Sequence, residues 1–306
     1  MIDLDPARAG VPPREAATLV VVRDAPGGGG VEVFCVERQK VGFLGGAIVF
    51  PGGKLDPADV DAAWAPSVTA PRATNIPREL ASGLSEPGSR REAGLKTPWA
   101  TDDATTRGLA IAACREALEE AAILPLTGEP LAHAELLDWR ARVARGETTL
   151  RALLAESGRT MDLASLVPFA RWITPIAEAR RYDTRFFVFV AGDALTGAHD
   201  DHETTASFWA RPSEVLRRFV AAELQLAPPT HRTLEILAGA KDARDAVAIA
   251  EASCLDPVCP RMVTAGEAVA LVLPGDPEHD VKEPRSPGKS RYVLRGDRFL
   301  PEDAPG

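Results

Sequence analysis

Residues 115–120 read Arg-Glu-Ala-Leu-Glu-Glu, and a helix turning about 100° per residue gathers Glu116, Glu119 and Glu120 on one arc. Ile111, Cys114, Leu118 and Ala122 fall on the other side, the side expected to pack. Carboxylates spaced i, i+3 and i+4 repel one another and weaken a helix unless something positive sits among them. Oxygen donors in this arrangement suit a hard divalent cation. Taken alone, the hexapeptide also describes a solvated helix face, so the decision falls to the elements around it.

Upstream, Ala47 to Phe50 is a short apolar strand that stops at Pro51-Gly52-Gly53, where glycine lets the backbone turn sharply or approach a ligand. Ala16–Arg23 and Val31–Glu37 read as a hairpin across the Gly27–Gly30 turn. The acidic helix is expected over Ala104–Ala122, ended by Pro125, with two further helical stretches between Leu131 and Glu156 split at Gly146. Strands are expected over Arg171–Pro175, Arg185–Ala191 and Ser207–Ala210. Pro212 and Ser213 then open a helix, and past Pro228-Pro229 a long Ala-rich helix is expected to about Ala252. Met262–Leu273 reads as two short strands around Gly266, and Tyr292–Leu300 as a hairpin around Gly296. Val60–Thr106 holds five prolines and no sustained periodicity, the composition of an inserted loop outside the sheet, with Trp64 and Trp99 as its anchors. Strands mixed with helices on both sides of a sheet make the expected class an α/β sandwich with a helical and β-hairpin tail.

Phe50-Pro51-Gly52-Gly53, the acid Asp59 and Arg115-Glu116-x-x-Glu119-Glu120 together resemble the Nudix hydrolase box, G-x5-E-x7-R-E-U-x-E-E-x-G-U, where U is a bulky apolar residue. Gly53 takes the first glycine, Asp59 the first acid and Ile123 the last apolar place. This chain has Asp59 for Glu, Ala117 for the bulky residue and Ala122 for the second glycine, and 55 residues separate Asp59 from Arg115 where the family has seven. A long insertion at this place is similar to that of one branch, the peroxisomal coenzyme A diphosphatases of animals. Gly42–Gly53, Trp172–Pro175, Arg180–Phe187, Glu203 with Trp209, Pro228-Pro229 and Leu273–Asp276 continue the resemblance along the chain.

The resemblance implies a Nudix-type α/β/α sandwich with a mixed sheet. It implies a hydrolase domain over residues 1–225, with 60–106 inserted in the box, and a C-terminal helical and β-hairpin extension over 226–306. The implied reaction is hydrolysis of coenzyme A or acyl-coenzyme A to 3′,5′-ADP and (acyl-)4′-phosphopantetheine. ADP-ribose, NADH or another nucleoside diphosphate derivative are the alternative substrates. A nucleotide sensor without catalysis fits less well, because all three helix carboxylates are present.

By the same resemblance, Glu116, Glu119 and Glu120 would hold Mg²⁺ or Mn²⁺, Arg115 would pin the carboxylates, and Gly52 and Gly53 would let the loop close on the metal. Glu203, ahead of Trp209, would be an additional ligand or the base that activates water, and a direct part for Asp59 stays open. Arg38 and Lys40, or Arg180 and Arg181, are candidates to grip the 3′-phosphate. His199 and His202 lie in a short polar run that reads as a loop.

With 306 residues, 45% hydrophobic and 26% charged, the chain can bury a core. The 35 basic residues against 44 acidic ones leave a net charge of −9, and arginine pairs such as Arg90-Arg91 and Arg217-Arg218 stand isolated. Nucleic acid is therefore not an expected partner, while a small anion neutralised by a metal is. No apolar run approaches the ~20 residues of a membrane span. The opening Met-Ile-Asp-Leu-Asp-Pro lacks a basic, apolar leader, so a cytoplasmic protein without a membrane partner is expected. Of Cys35, Cys114, Cys254 and Cys259, three sit among apolar or helical neighbours as reduced core thiols do, and Cys254 and Cys259 share a short loop that lacks the second ligand pair a structural zinc needs. The sequence sets no oligomeric state.

Overall fold

A computed structural model of the chain describes residues 12–39, 46–72, 99–100, 102–176, 178, 180–192, 195–200, 203–265 and 268–305. Strand β1 (Arg14–Asp24) carries an apolar run whose alternate residues divide between two cores, Leu19 and Val21 on one face, Val20 and Val22 on the other. A strand buried on both faces belongs in the middle of a sheet. There β1 pairs antiparallel with β2 (Val31–Arg38) and β4 (Gly52–Lys54), and parallel with β6 (Tyr182–Val190). The mixed sheet runs from β5 (Val167–Ile173) through β6, β1, β2 and β3 (Ala47–Val49) to β8 (Gln225–Leu226), with β7 (Thr204–Ala210) also on β2.

Helices α1 (Asp103–Ala121), α2 (His133–Ala144) and α3 (Leu150–Ser157) cover the Leu19 face through Ile111, Leu118, Trp139 and Leu154. The other face is covered by α4 (Pro212–Val220), α5 (Pro228–Leu237) and α6 (Ala243–Glu251) through Phe219, Leu234 and Ala246. Leu271 and Tyr292 join that core from a second, antiparallel sheet of β9 (Arg261–Ala265), β10 (Ala268–Val272), β11 (Arg291–Arg295) and β12 (Arg298–Glu302). The expected α/β/α sandwich with C-terminal hairpins is present, and β10–β11 pairing merges the hairpins into one sheet.

Three elements differ from expectation. The long helix past Pro228-Pro229 is two helices, because the Asp242 carboxylate accepts the Asp245 N–H at 2.7 Å and starts α6 afresh. Gly52-Gly53, expected only as a turn, opens strand β4. Strand β5 begins at Val167, and its register against β6 shifts just after Pro168, a residue that has no N–H for the ladder.

The described ends of the insertion are pinned to the body. Trp64 is buried and its indole N–H donates to the Ala58 carbonyl at 2.9 Å. The Thr69 N–H donates to Met161 O at 2.9 Å, and Arg72 reaches Ala164 O at 3.1 Å and the Glu251 carboxylate on α6. At the returning end Trp99 is buried edge-on against Phe187 at 5.7 Å, and its carbonyl accepts from Arg185 Nε at 2.9 Å.

Among the described residues, the non-glycine positions with positive φ are Ala122 (+50°), closing α1, and Ala222 (+59°), just past α4. The left-handed region costs an L-residue about 1–2 kcal/mol and suits glycine at helix ends. Ala222→Gly is expected to stabilise the exposed site by about 1 kcal/mol. Ala122→Gly should be near neutral, since Ala122 is fully buried and loses a methyl whose burial contributes about 0.8 kcal/mol. Thermal denaturation of both variants checks this, and a less stable Ala222→Gly would contradict it.

Candidate active site

Helix α1 starts at an Asp102 cap that accepts the Thr105 N–H at 2.7 Å. It is buried along most of its length, from Gly108 to Cys114 and again at Ala117, Leu118 and Ala121. The acidic arc, expected to face away from the packed side, is covered at Glu116 and Glu120, while Glu119 stays partly exposed. Strand β4 runs across it so closely that a Cβ on Gly53 would lie 2.2 Å from the Glu116 carboxyl carbon. The Gly52 N–H donates to Glu120 Oε2 at 3.1 Å, and Glu120 is only 5% exposed. Two glycines therefore let a strand backbone lie directly on the carboxylates.

Arg115 is the hub of the cluster. Its Nη1 donates to Glu116 Oε1 at 2.9 Å and to Glu119 Oε2 at 3.4 Å, and its Nη2 to the Lys54 carbonyl at 3.0 Å. Asp59, 1% exposed, accepts from Nε at 3.2 Å and from Nη2 at 3.1 Å, while its Oδ2 also accepts the Asp56 N–H at 2.9 Å. Asp59, whose direct part the sequence left open, binds the Arg115 guanidinium and acts on Glu119 through its charge.

Burial raises Glu116 to about 7, against the opposing pull of Arg115 and with a further push from Glu119. Burial likewise raises Glu120 to about 8, offset by the Gly52 N–H and by Arg38, while Glu116 and Glu203 push it further up. Glu119 is raised by desolvation, with Arg115 opposing. Desolvation works against the Arg115 cation, yet the Asp59 hydrogen bonds and the charges of Glu116, Asp59 and Glu119 hold it protonated. Glu116, Glu119 and Asp59 thus share the Arg115 cation, Glu120 has the Gly52 N–H and Arg38 to offset its burial, and the cluster is short of positive charge.

Glu203 and Arg38 lie within electrostatic reach of this cluster: Glu203 acts on both Glu116 and Glu120, and Arg38 on Glu120. The ends of β2 and β7 bring them there, and the Gln39 N–H donates to the Glu203 carbonyl at 3.0 Å. Arg180 is exposed in the turn before β6, and Arg181 donates to the Thr174 carbonyl at 3.1 Å and bears on the Cys259 thiol. His199 Nδ1 lies 3.2 Å from Ser207 Oγ. Lys40 and His202 fall outside the described residues.

Among the described residues, no three Asp, Glu, His or Cys groups converge into a closed metal-ligand set. The donor chemistry nevertheless fits a hard divalent cation: Glu116, Glu119 and Glu120 offer oxygen only, and each is desolvated and under-compensated.

A family model described as the NUDT19 Nudix domain matches residues 14–237. The chain belongs to this Nudix family. It is 28% identical over 329 residues to the acyl-coenzyme A diphosphatase NUDT19 of Gallus gallus, covering 94% of this chain and 85% of the relative. To the protein of the same name from Homo sapiens it is 29% identical over 265 residues, 77% of this chain and 68% of the relative. A solved Nudix hydrolase from Alicyclobacillus acidocaldarius superposes with a TM-score of 0.60 at 29% identity, over 78% of this chain and 97% of that one. The protein is a Nudix hydrolase acting on diphosphate bonds. Asp59 and Arg115 meet directly although 55 residues separate them. No described helix is long and apolar enough to cross a membrane.

Proposed function

We propose that this Nudix hydrolase cleaves the diphosphate of coenzyme A or acyl-coenzyme A to 3′,5′-ADP and (acyl-)4′-phosphopantetheine with the help of Mg²⁺ or Mn²⁺. The observation that carries the reading is the desolvated, cation-poor carboxylate cluster under Gly52-Gly53, in a chain whose relatives are named acyl-coenzyme A diphosphatases. Glu116, Glu119 and Glu120 would hold the divalent ion. When bound, that ion neutralises diphosphate oxygens and lowers the pKa of a coordinated water.

The remaining work falls to the chain. Arg115, gripped by Asp59, fixes the rotamers of Glu116 and Glu119. The Gly52 N–H orients Glu120 by fixing Oε2. Glu203 stands near the cluster as the group that takes the proton from the attacking water, or as a further ligand. Arg38 would meet substrate phosphate, and its charge bearing on Glu120 from β2 favours it over Arg180 and Arg181 for that contact.

A product-resolved mass-spectrometric panel tests the reading, with coenzyme A, dephospho-coenzyme A, acyl-coenzyme A, ADP-ribose and NADH, each with Mg²⁺ and with Mn²⁺. Coenzyme A should turn over several-fold faster than its dephospho form, because the 3′-phosphate finds a basic partner. Equal rates on the two would reject that contact, and faster cleavage of ADP-ribose or NADH would reject the substrate class.

A further inference from the structure

Glu203 lies outside the α1 helix that carries the box carboxylates, and something else has to place it. The described residues 195–200 and 203 precede β7 and are tied to the body at several points. The Ala198 N–H donates to Ala121 O in the last turn of α1 at 2.7 Å. Arg140, on α2, donates from Nη1 to the carbonyls of both Ala198 at 2.8 Å and His199 at 2.9 Å. The His199 N–H donates to Ser207 Oγ at 3.1 Å, and the Trp209 indole N–H to Thr196 O at 2.8 Å. Asp200 then collects the backbone ahead of β7: its carboxylate accepts the Glu203 N–H at 3.1 Å, the Thr204 N–H at 2.9 Å and the Thr204 hydroxyl at 2.7 Å.

We propose that Arg140 and Asp200 are positioning residues for Glu203, Arg140 by holding two consecutive carbonyls against α2 and Asp200 by holding the Glu203 amide. The reasoning is one of stiffness. A carboxylate on a connection between strands acts reproducibly only if its backbone is held to about 0.5 Å, and connections lack a ladder of their own to do so. Two consecutive carbonyls on one guanidinium nitrogen remove the freedom of the peptide between them. Asp200 holds the Glu203 and Thr204 amides by carboxylate-to-amide bonds, which are stronger than neutral ones. The chain is thereby fixed on both sides of the Glu203 carboxylate, by Arg140 and Asp200 before it and by the β7–β2 pairing after it. The inference rests on the catalytic part proposed for Glu203.

A double-mutant cycle on the fastest substrate of the panel above tests it. Arg140→Ala is expected to lower kcat by ~10-fold with KM within ~2-fold, and Arg140→Lys, which keeps a donor for both carbonyls, to restore most of the loss. In a Glu203→Gln background the same Arg140→Ala change should alter kcat by less than ~2-fold, because the group it positions is already disabled. Hydrogen exchange supplies a readout independent of activity, the amides of Ala198, Glu203 and Thr204 exchanging at least ~10-fold faster in Arg140→Ala with the rest of the fold unchanged. Where Arg140→Ala does not fold, Asp200→Ala runs the same cycle. Equal losses in both backgrounds, with Glu203→Gln itself impaired, overturn the positioning role alone. Wild-type kcat in Glu203→Gln overturns the catalytic part of Glu203 and this inference with it.

Discussion

Glu120→Gln is expected to lower turnover at least ~10²-fold, the scale of removing one preorganised electrostatic element from a catalytic site. Its effect on stability should run the other way. The folded Glu120 carboxyl keeps its proton to about pH 8, whereas an ordinary glutamate loses it near 4.5. Between those values the folded state binds a proton that the unfolded state does not, so stability falls as pH rises through the window. Glutamine has no charge to bury, while its amide oxygen still accepts the Gly52 N–H. The metal-free variant should therefore melt above the metal-free wild type at pH 9 and close to it at pH 5. Added Mg²⁺ should raise the wild-type melting temperature more than the variant's, since binding to the folded state alone is what stabilises. Thermal scans at pH 5, 7 and 9, with and without Mg²⁺, together with kcat, decide it. Wild-type turnover would remove Glu120 from the mechanism, and a variant less stable than wild type at pH 9 would refute the buried, uncompensated charge.

The acidic arc of α1 was legible because it is written within one helix turn: the spacing of Glu116, Glu119 and Glu120 is set by helix geometry whatever surrounds them. The strands β1 and β2 were legible for the same reason, their apolar runs being local. What surrounds the arc was less so. Solvation of Glu116 and Glu120 depends on a strand from residues 52–54, whose register against β1 no local pattern encodes. Gly52 and Gly53 signalled a loop closing on the metal site, and not a strand whose backbone lies on Glu116 and Glu120. Asp59 meets Arg115 across the insertion, a contact made by the fold and not by spacing. Arg140 gave no signal at all, since an arginine on a half-exposed helix face is ordinary until its two carbonyl partners are seen. The break between α5 and α6 was missed because alanine-rich composition masked the Asp242 cap.

The two glycines of the box should fail in different ways. A Cβ on Gly52 would sit 2.5 Å from the Ala17 carbonyl oxygen and 2.7 Å from the Thr18 Cα, both backbone atoms of the central strand. Strand β1 is paired on both sides and buried in two cores, so it has nowhere to move. Gly52→Ala must therefore open the β1–β4 pairing, and a loss of about 1–3 kcal/mol, the usual range for overpacking, is expected. The three atoms nearest a Cβ on Gly53 all belong to the carboxylate end of Glu116, at 2.2–2.6 Å. That end swings away by side-chain rotation, which costs little, but the swing takes Glu116 off Arg115 and out of the cluster. Gly53→Ala should thus keep a melting temperature near wild type while losing ~10²-fold in turnover, comparable to removing the Glu116 carboxylate. The decisive comparison is with Glu116→Gln. If Gly53 acts through Glu116, adding Gly53→Ala to that variant changes kcat by less than ~3-fold, since a pair working through one group is not additive. A full additional loss in the double variant, or a melting temperature for Gly53→Ala as low as that of Gly52→Ala, would show that Gly53 shapes the strand itself and not the carboxylate above it.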